Sequence, residues 1–286
     1  MIRAARPSDV DAIVAFTTNT FDWGDYVPSV IERWITDEPG QVFVKVDEAD
    51  IPIAMARGVF LSSSEVWSHA ARVDPDHRGK GIAGEIADTI AEWARDNGGH
   101  VVWLMIEDVN EPSIRHITKK HYRRTVSVVR ATRPVGDASP NPEGNGGRVH
   151  PSPLVAKHAK LADVPLVRTS WQTGDVGRHF RTMIGENWRF RVLRDGDVTD
   201  AARSGNLWEI GGSWAITERV EPNFDVSLLD TNPAEALDVI RALIDAANER
   251  GAEAFSVWLA DFDWLVQAAR RAGCAVEGYG IWELAL

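Results

Sequence analysis

The chain has 286 residues, 44% hydrophobic and 26% charged, the composition of a globular protein able to bury one large core or two modest ones. A formal net charge of −11 argues against general nucleic-acid binding, which needs a basic face. The single cysteine, Cys274, excludes an intramolecular disulfide and a thiolate metal centre, and fits a reducing compartment.

The opening "MIRAARPSDVDAIVAF" carries charges and a proline where a secretory leader needs an apolar run. No later stretch approaches the roughly 20 apolar residues of a membrane span. The expectation is a cytoplasmic protein with no membrane or nucleic-acid partner. Pro7, with Ser8 or Asp9 as cap, starts a first helix, and "VIERWITDE" reads as a short second one. "QVFVKVDE" and "IPIAMARGVFLS" are strands joined by an acidic turn, and "EVWSHAARV" is a third. Ile82, Ile86, Ile90 and Trp93 recur at helical spacing in "GIAGEIADTIAEWARDNG". A buried strand "HVVWLMIED", a polar helix "EPSIRHITKKH" and a strand "RTVSVVRAT" close the first half.

"RPVGDASPNPEGNGGRVHPSP", Arg133 to Pro153, is rich in Pro, Gly and Asn and reads as a linker. Beyond it, the stretch from Trp188 to Arg219 reads as strands separated by turns. "FDVSLLDT", a helix "PAEALDVIRALIDAANERG", a strand "AFSVWLAD", a helix "DWLVQAARRAG" and a strand "GIWELAL" follow. This repeats the element order of the second part of the first half and suggests an internal duplication, with an unrelated α+β domain as the alternative. The expected organisation is a domain over 1–133, a linker over 134–153 and a second domain over 154–286.

Between the third strand and its helix lies "DPDHRGKGIAGEI". A helix N-terminus leaves N–H groups unpaired and carries partial positive charge. Gly79, Gly81 and Gly84 allow close backbone approach, and Arg78 and Lys80 add full charges, so the segment is an anion cradle suited to a pyrophosphate. A Walker A loop is absent. The glycines fit dinucleotide spacing, but they follow the third strand of a sheet that turns back on itself, not the first strand of a parallel one. Gly211 and Gly212 in "LWEIGGSWAIT" read as a bulge or close approach rather than a second cradle.

Arg78, Gly81 and Ala83 form an Arg-x-x-Gly-x-Ala pattern, and together with "VDPDHRGKG" and the element order of residues 2–132 the segment resembles the GNAT superfamily of acyl-CoA N-acyltransferases. The resemblance implies an α+β fold of two GNAT-like lobes, each a mixed, mostly antiparallel twisted sheet flanked by helices, the second lobe degenerate. It implies acetyl-CoA as co-substrate, no metal, and a pyrophosphate held by Gly79, Lys80, Gly81, Ile82, Ala83 and Gly84 beside Arg78. Arg72 and Val73 would pair with the pantetheine arm, and Asn110 would contact the cofactor, cap a helix, or do both.

Acetyl transfer needs a neutral amine, a polarised thioester carbonyl and a proton source for the leaving thiolate. Strand alternation sets Glu65, Trp67, His69, Ala71 and Val73 on one face. His69 occupies the place where the family often carries a glutamate base. Glu65, roughly 13 Å farther along at about 3.3 Å per residue, could act only through water. The family's tyrosine acid falls on Ile117, leaving Tyr122, His116 or His121 as substitutes, or no acid at all.

Carboxylates beside aromatics suit a cationic amine, and Asp22, Asp25, Tyr26 and Trp34 precede the first long strand, where the family builds its acceptor pocket. "DYVPSVIERWITDEP" narrows the resemblance to the histidine N-acetyltransferase-like branch, whose members acetylate the α-amine of a free amino acid. The reading is a small-molecule N-acetyltransferase, monomer or homodimer, whose second lobe shapes the acceptor pocket. Protein N-terminal or lysine acetylation, and a non-catalytic CoA sensor, are the alternatives.

Overall fold

Alternating apolar residues build the N-terminal sheet of the computed structural model, which describes residues 1–21, 24–36, 40–136, 152–220 and 222–286. Strands β1 (Ile2–Ala4), β2 (Gly40–Val46), β3 (Pro52–Phe60) and β4 (Glu65–Val73) pair antiparallel in that order, and β5 (Val101–Glu107) joins β4 in parallel. Helices α1 (Val10–Thr17) and α2 (Val27–Thr36) cover one face, where Ile13, Ile31 and Trp34 pack on Val42, Val44 and Met55. Helix α3 (Ile82–Asp96) covers the other: Ile82, Ile86 and Ile90 meet Ala54, Ala56, Val66 and Val102. Helix α4 (Glu111–Lys119) adds Ile117 to that core. Each of these fully buried aliphatic side chains contributes about 1.5–3 kcal/mol of apolar burial.

Strand β6 (Arg123–Pro134) leads into a second set of elements. In chain order these are β7 (Lys157–His158), α5 (Val164–Thr173), α6 (Asp175–His179), β8 (Met183–Glu186), β9 (Arg189–Val192) and α7 (Asp197–Arg203). Then come β10 (Leu207–Ile210), β11 (Ser213–Val220), β12 (Asn223–Asp230), α8 (Ala236–Glu249), β13 (Ala254–Ala260), α9 (Asp263–Arg271) and β14 (Ala275–Ala285). Sheet order is β6-β13-β12-β11-β10-β7, with β8 and β9 as a separate hairpin.

The described residues divide into two compact units that interleave along the chain. The first is Met1–Ile106, Asn110–Thr125 and Ile281–Leu286; the second is Glu107–Val109 and Val126–Gly280. Strand β14 is thus shared, and its end supplies Trp282, Leu284 and Leu286 to the α3 core of the first unit. Residues 137–151 of the expected linker lie outside the described residues.

Three local expectations change. The stretch expected to hold only strands contains α7, in which only Val198 and Ala201 are buried. Gly211 and Gly212 make no bulge but do allow a close approach: Ile210 pairs with Ser213, so the two glycines are the tip of a two-residue hairpin, with Gly211 at φ +61°, and Leu154 and Glu235 pack against them. The first helix is preceded by a 3-10 turn over Pro7–Asp9, where the Asp9 carboxylate accepts the Arg6 N–H at 2.7 Å and pairs with Arg3.

Candidate active site

Strand β4 carries the chemistry, and a bulge sets which side chains it presents. His69 lies opposite Arg57 and Arg72 opposite Met55, so β4 fits one extra residue against β3. Ala70 absorbs it at φ +56°, a conformation that costs a residue with a Cβ about 1 kcal/mol or more. The extra residue reverses the alternation, which corrects the expected face. Ala70 joins the α1/α2 core and Arg72 turns to the same side, while Val73 packs against the α3 core.

Strands β4 and β5 pair at only three positions, Glu65, Val66 and Trp67 with Val101, Val102 and Trp103. Past Trp67 they have no further ladder pairing, so residues 68–73 offer backbone donors and acceptors along one open edge. Val73 then runs into the loop. Asp74 caps it by accepting the Asp76 N–H at 2.9 Å, and a short 3-10 turn covers Pro75–His77.

Gly79 and Gly81 follow at φ +77° and +80°, the left-handed region that glycine alone enters without strain, and Gly81 is the N-cap of α3 without any side-chain cap. Among the described residues the five consecutive N–H groups from Gly79 to Ala83 reach no acceptor in the chain. A Cβ at Gly79 or Gly81 would meet nothing within 4 Å, so the backbone there borders open space. Arg78 Nε donates to the Val73 carbonyl at 3.2 Å and Lys80 Nζ to the Asp76 carbonyl at 3.2 Å, which holds both cations beside the turn. Free N–H groups, a helix dipole and two cations fit a pyrophosphate. Gly84 has another job: its N–H already donates to Gly81 at 2.9 Å, and a Cβ there would stand 2.5 Å from His116 Cε1, so glycine lets α4 approach α3.

The expected acceptor residues gather around the α1/α2 side of β4, with Asp22 outside the described residues. Asp25 is fully buried and already engaged. Arg72 Nε donates to Asp25 Oδ2 at 2.6 Å, and the Val27 N–H to Oδ1 at 3.0 Å. Burial pushes the Asp25 carboxyl upward, but Arg72 and the Val27 N–H outweigh it and hold it below the ordinary range. Asp25 therefore positions Arg72 rather than standing open to an amine, and Arg72 lies over Phe21 and Tyr26, at 4.9 and 5.5 Å from the ring centroids. That commits the Arg72 side chain to Asp25 and the two rings and leaves its backbone on the open edge of β4. Trp34 meets Tyr26 edge-on at 5.9 Å and His69 edge-on at 4.9 Å.

Arg57 is the residue that reading for motifs missed, although a lone charge within "IPIAMARGVF" was a signal. It is 1% exposed, stacks over Trp34 at 5.1 Å, and its guanidinium lies where a Cβ on Gly40 would sit. Its Nη1 is 3.4 Å from His69 Nε2. A guanidinium only donates, so in this contact His69 Nε2 accepts, which sets the ring proton on Nδ1.

The remaining expected residues lie apart. Tyr122 is 3% exposed in the α3 core, with no hydrogen-bond partner for its hydroxyl, and burial drives its pKa far upward. Ile117 is in the same core. His116 packs against Gly84, and burial, helped by Lys120, lowers its pKa. Glu65 opens β4 with Oε1 buried and unpartnered. Asn110 caps α4, its Oδ1 accepting the Ser113 N–H at 3.2 Å. No group of three or more His, Cys, Asp or Glu among the described residues is placed to hold a metal, and no helix is long and apolar enough to cross a membrane.

A bulged central strand, a parallel neighbour that parts from it, and an uncapped helix behind a glycine turn together define an acyl-CoA-dependent N-acyltransferase. Residues 11–121 match the family model of the acetyltransferase (GNAT) family, so that segment carries a GNAT domain. Its whole length resembles a GCN5-related N-acetyltransferase from Sphaerobacter thermophilus at TM-score 0.66 and 14% identity, covering 100% of this chain and 95% of that one. A tandem GNAT protein from the clavulanic acid biosynthesis pathway matches at TM-score 0.56 and 11% identity, covering 100% and 98%. A GCN5-related glucosamine N-acetyltransferase region of a fungal multidomain β-N-acetylglucosaminidase matches at 0.64 and 13%, covering 99% and 38%. The fold is thus α+β with two GNAT-like lobes, the second degenerate. No curated protein matches the sequence.

Proposed function

We propose that the protein transfers the acetyl group of acetyl-CoA to the primary amine of a small molecule, an α-amino acid such as histidine being the first acceptor to test. The observation that carries this is the row of free N–H groups from Gly79 to Ala83 at the end of a strand whose outer edge is open. In this reading the cradle, with Arg78 and Lys80, holds the pyrophosphate, and the edge of residues 68–73 pairs with the pantetheine arm. The amine nitrogen bonds to the acetyl carbonyl carbon, the carbon–sulfur bond breaks, and the thiolate leaves with the bonding pair.

His69 takes the proton released by the amine. With the ring proton on Nδ1, the one lone pair is at Nε2, so taking the amine's proton displaces the long 3.4 Å contact with Arg57. Trp34, Tyr26 and Phe21 wall the acceptor side, and Asp25 fixes Arg72 there, where its cation suits an acceptor carboxylate. An amino acid offers both groups. The glucosamine region among the fold relatives accords with a small amine acceptor.

Thiol release from acetyl-CoA in the presence of pools of amino acids, polyamines, amino sugars and short peptides tests the proposal. The amino-acid pool is expected to release thiol, and splitting the pool identifies the acceptor. The burial of Ile117 and Tyr122 favours one other reading, a CoA sensor without a phenolic acid. Silence in every pool, with acetyl-CoA still raising the melting temperature, would select it.

A further inference from the structure

The second unit contains a cavity of about 730 Å³ that no part of the transferase reading uses. It lies at the end of β12 and is built much like the first unit's site. β12 pairs with β13 in parallel at four positions, Asn223–Val226 with Ala254–Val257, and has no ladder pairing with it beyond. A register shift against β11 at Ile216/Thr217 places a bulge at Ser227. The size is that of a small-molecule site.

Its chemistry is not that of a phosphate cradle. Asn232 Oδ1 accepts the N–H groups of Ala234 and Glu235, at 3.0 and 3.2 Å, and its carbonyl accepts the Ala236 N–H at 3.0 Å, so the turn leading into α8 is closed on itself. Glu235 Oε2 accepts from the Gly212 N–H, the Ser213 hydroxyl and the Asn232 amide, which sets a carboxylate where an anion would have to enter.

Deeper in, Asp230 is 7% exposed, and its carboxylate accepts from the Ser170 hydroxyl with no ion pair among the described residues. Burial raises its pKa, and Ser170 only partly opposes this. A buried carboxylate with one neutral donor gains from a cation that brings its own N–H groups. Phe262 and Trp264, stacked at 5.8 Å, supply aromatic faces beside it, and His179, held by the Ser127 carbonyl at 2.6 Å, meets Phe262 edge-on. Arg178 also lines the cavity but is solvent-exposed.

We propose that this cavity binds a small organic ammonium ion, with Asp230 and Ser170 holding the ammonium group and Phe262 and Trp264 packing on its carbon body. This site goes beyond the proposed transferase reading and does not depend on it.

The test is calorimetric titration of the full chain with phenethylammonium, histamine and spermidine, with phenethyl alcohol as the uncharged isostere. At least one amine binds wild type and His69→Ala equally, Asp230→Asn weakens it roughly tenfold or more, and the alcohol does not bind. Trp264→Ala, at a half-buried wall position, gives the same loss and serves if Asp230→Asn fails to fold. Unchanged affinity in both variants, equal binding of the alcohol, or no amine binding at millimolar concentration overturns the proposal. Acetyl-CoA affinity stays at the wild-type value in Asp230→Asn. Amine binding without acetyl transfer would therefore sink the transferase reading alone.

Discussion

The two units solve the same geometric problem and end with opposite electrostatics. Each has a central strand with a bulge, a parallel neighbour that pairs briefly and then parts, and a helix that starts just beyond. In the first unit that helix starts behind Gly79 and Gly81 with the N–H groups of the turn free; in the second it starts behind Asn232, which takes up the N–H groups of Ala234, Glu235 and Ala236. The residue just before the bulge is His69 beside Arg57 in the first, and Val226 beside Thr217 in the second. Two places after the bulge residue, Arg72 meets buried Asp25, whereas Leu229 is simply apolar core. Bulge and splay are properties of the backbone, and they recur in both units although the side chains around them differ.

Substitutions break this contrast to different extents. Asp25→Asn leaves Arg72 without its counter-charge and is expected to cost about 3 kcal/mol, read by denaturant unfolding. The Asp25 carboxyl is depressed in the folded state, so its contribution is complete above the ordinary carboxylate range and is lost as pH falls through the lower folded value. The stability gap between wild type and Asp25→Asn should therefore close in acid; a gap unchanged down to strongly acidic pH would show that the ion pair is not its source.

His69→Ala should lower kcat about 100-fold while leaving acetyl-CoA affinity intact, the signature of a lost base rather than a lost binding contact. An equal fall in affinity would assign His69 to binding. Gly81→Val should weaken acetyl-CoA binding about tenfold, since the left-handed turn costs a side-chain-bearing residue about 1–2 kcal/mol and the added Cβ meets no neighbour. Unchanged calorimetric affinity would place the pyrophosphate elsewhere. In the second unit, Asn232→Ala removes the side-chain cap of the turn before α8, should cost about 1 kcal/mol of stability, and should leave acetyl-CoA affinity unchanged. A gain in affinity would mean that only this cap closes the second cradle.

The cradle was legible because its signal is local: Gly79, Lys80 and Gly81 stand between an alternating strand and an amphipathic helix, all within a few residues. The bulge was not, because Ala70 looks like any small strand residue, and its conformation is fixed by the register of β3 against β4. The use of Asp25 was hidden for a related reason. Its partner lies 47 positions away, so the carboxylate looked open to an amine until Arg72 was seen to fill it. Helix α7 was lost among strands because only Val198 and Ala201 point inward, too few to show a period.

The sharing of β14 has a consequence for the order in which the protein comes into being. Trp282, Leu284 and Leu286 belong to the core that α3 covers, yet they are translated after the whole of the second unit. The lobe that begins first is finished last. While the ribosome works through residues 126–280, Ile86, Ile90 and Val102 wait with part of their apolar wall missing, so the glycine turn at the head of α3 gains its full support only once Trp282, Leu284 and Leu286 have followed.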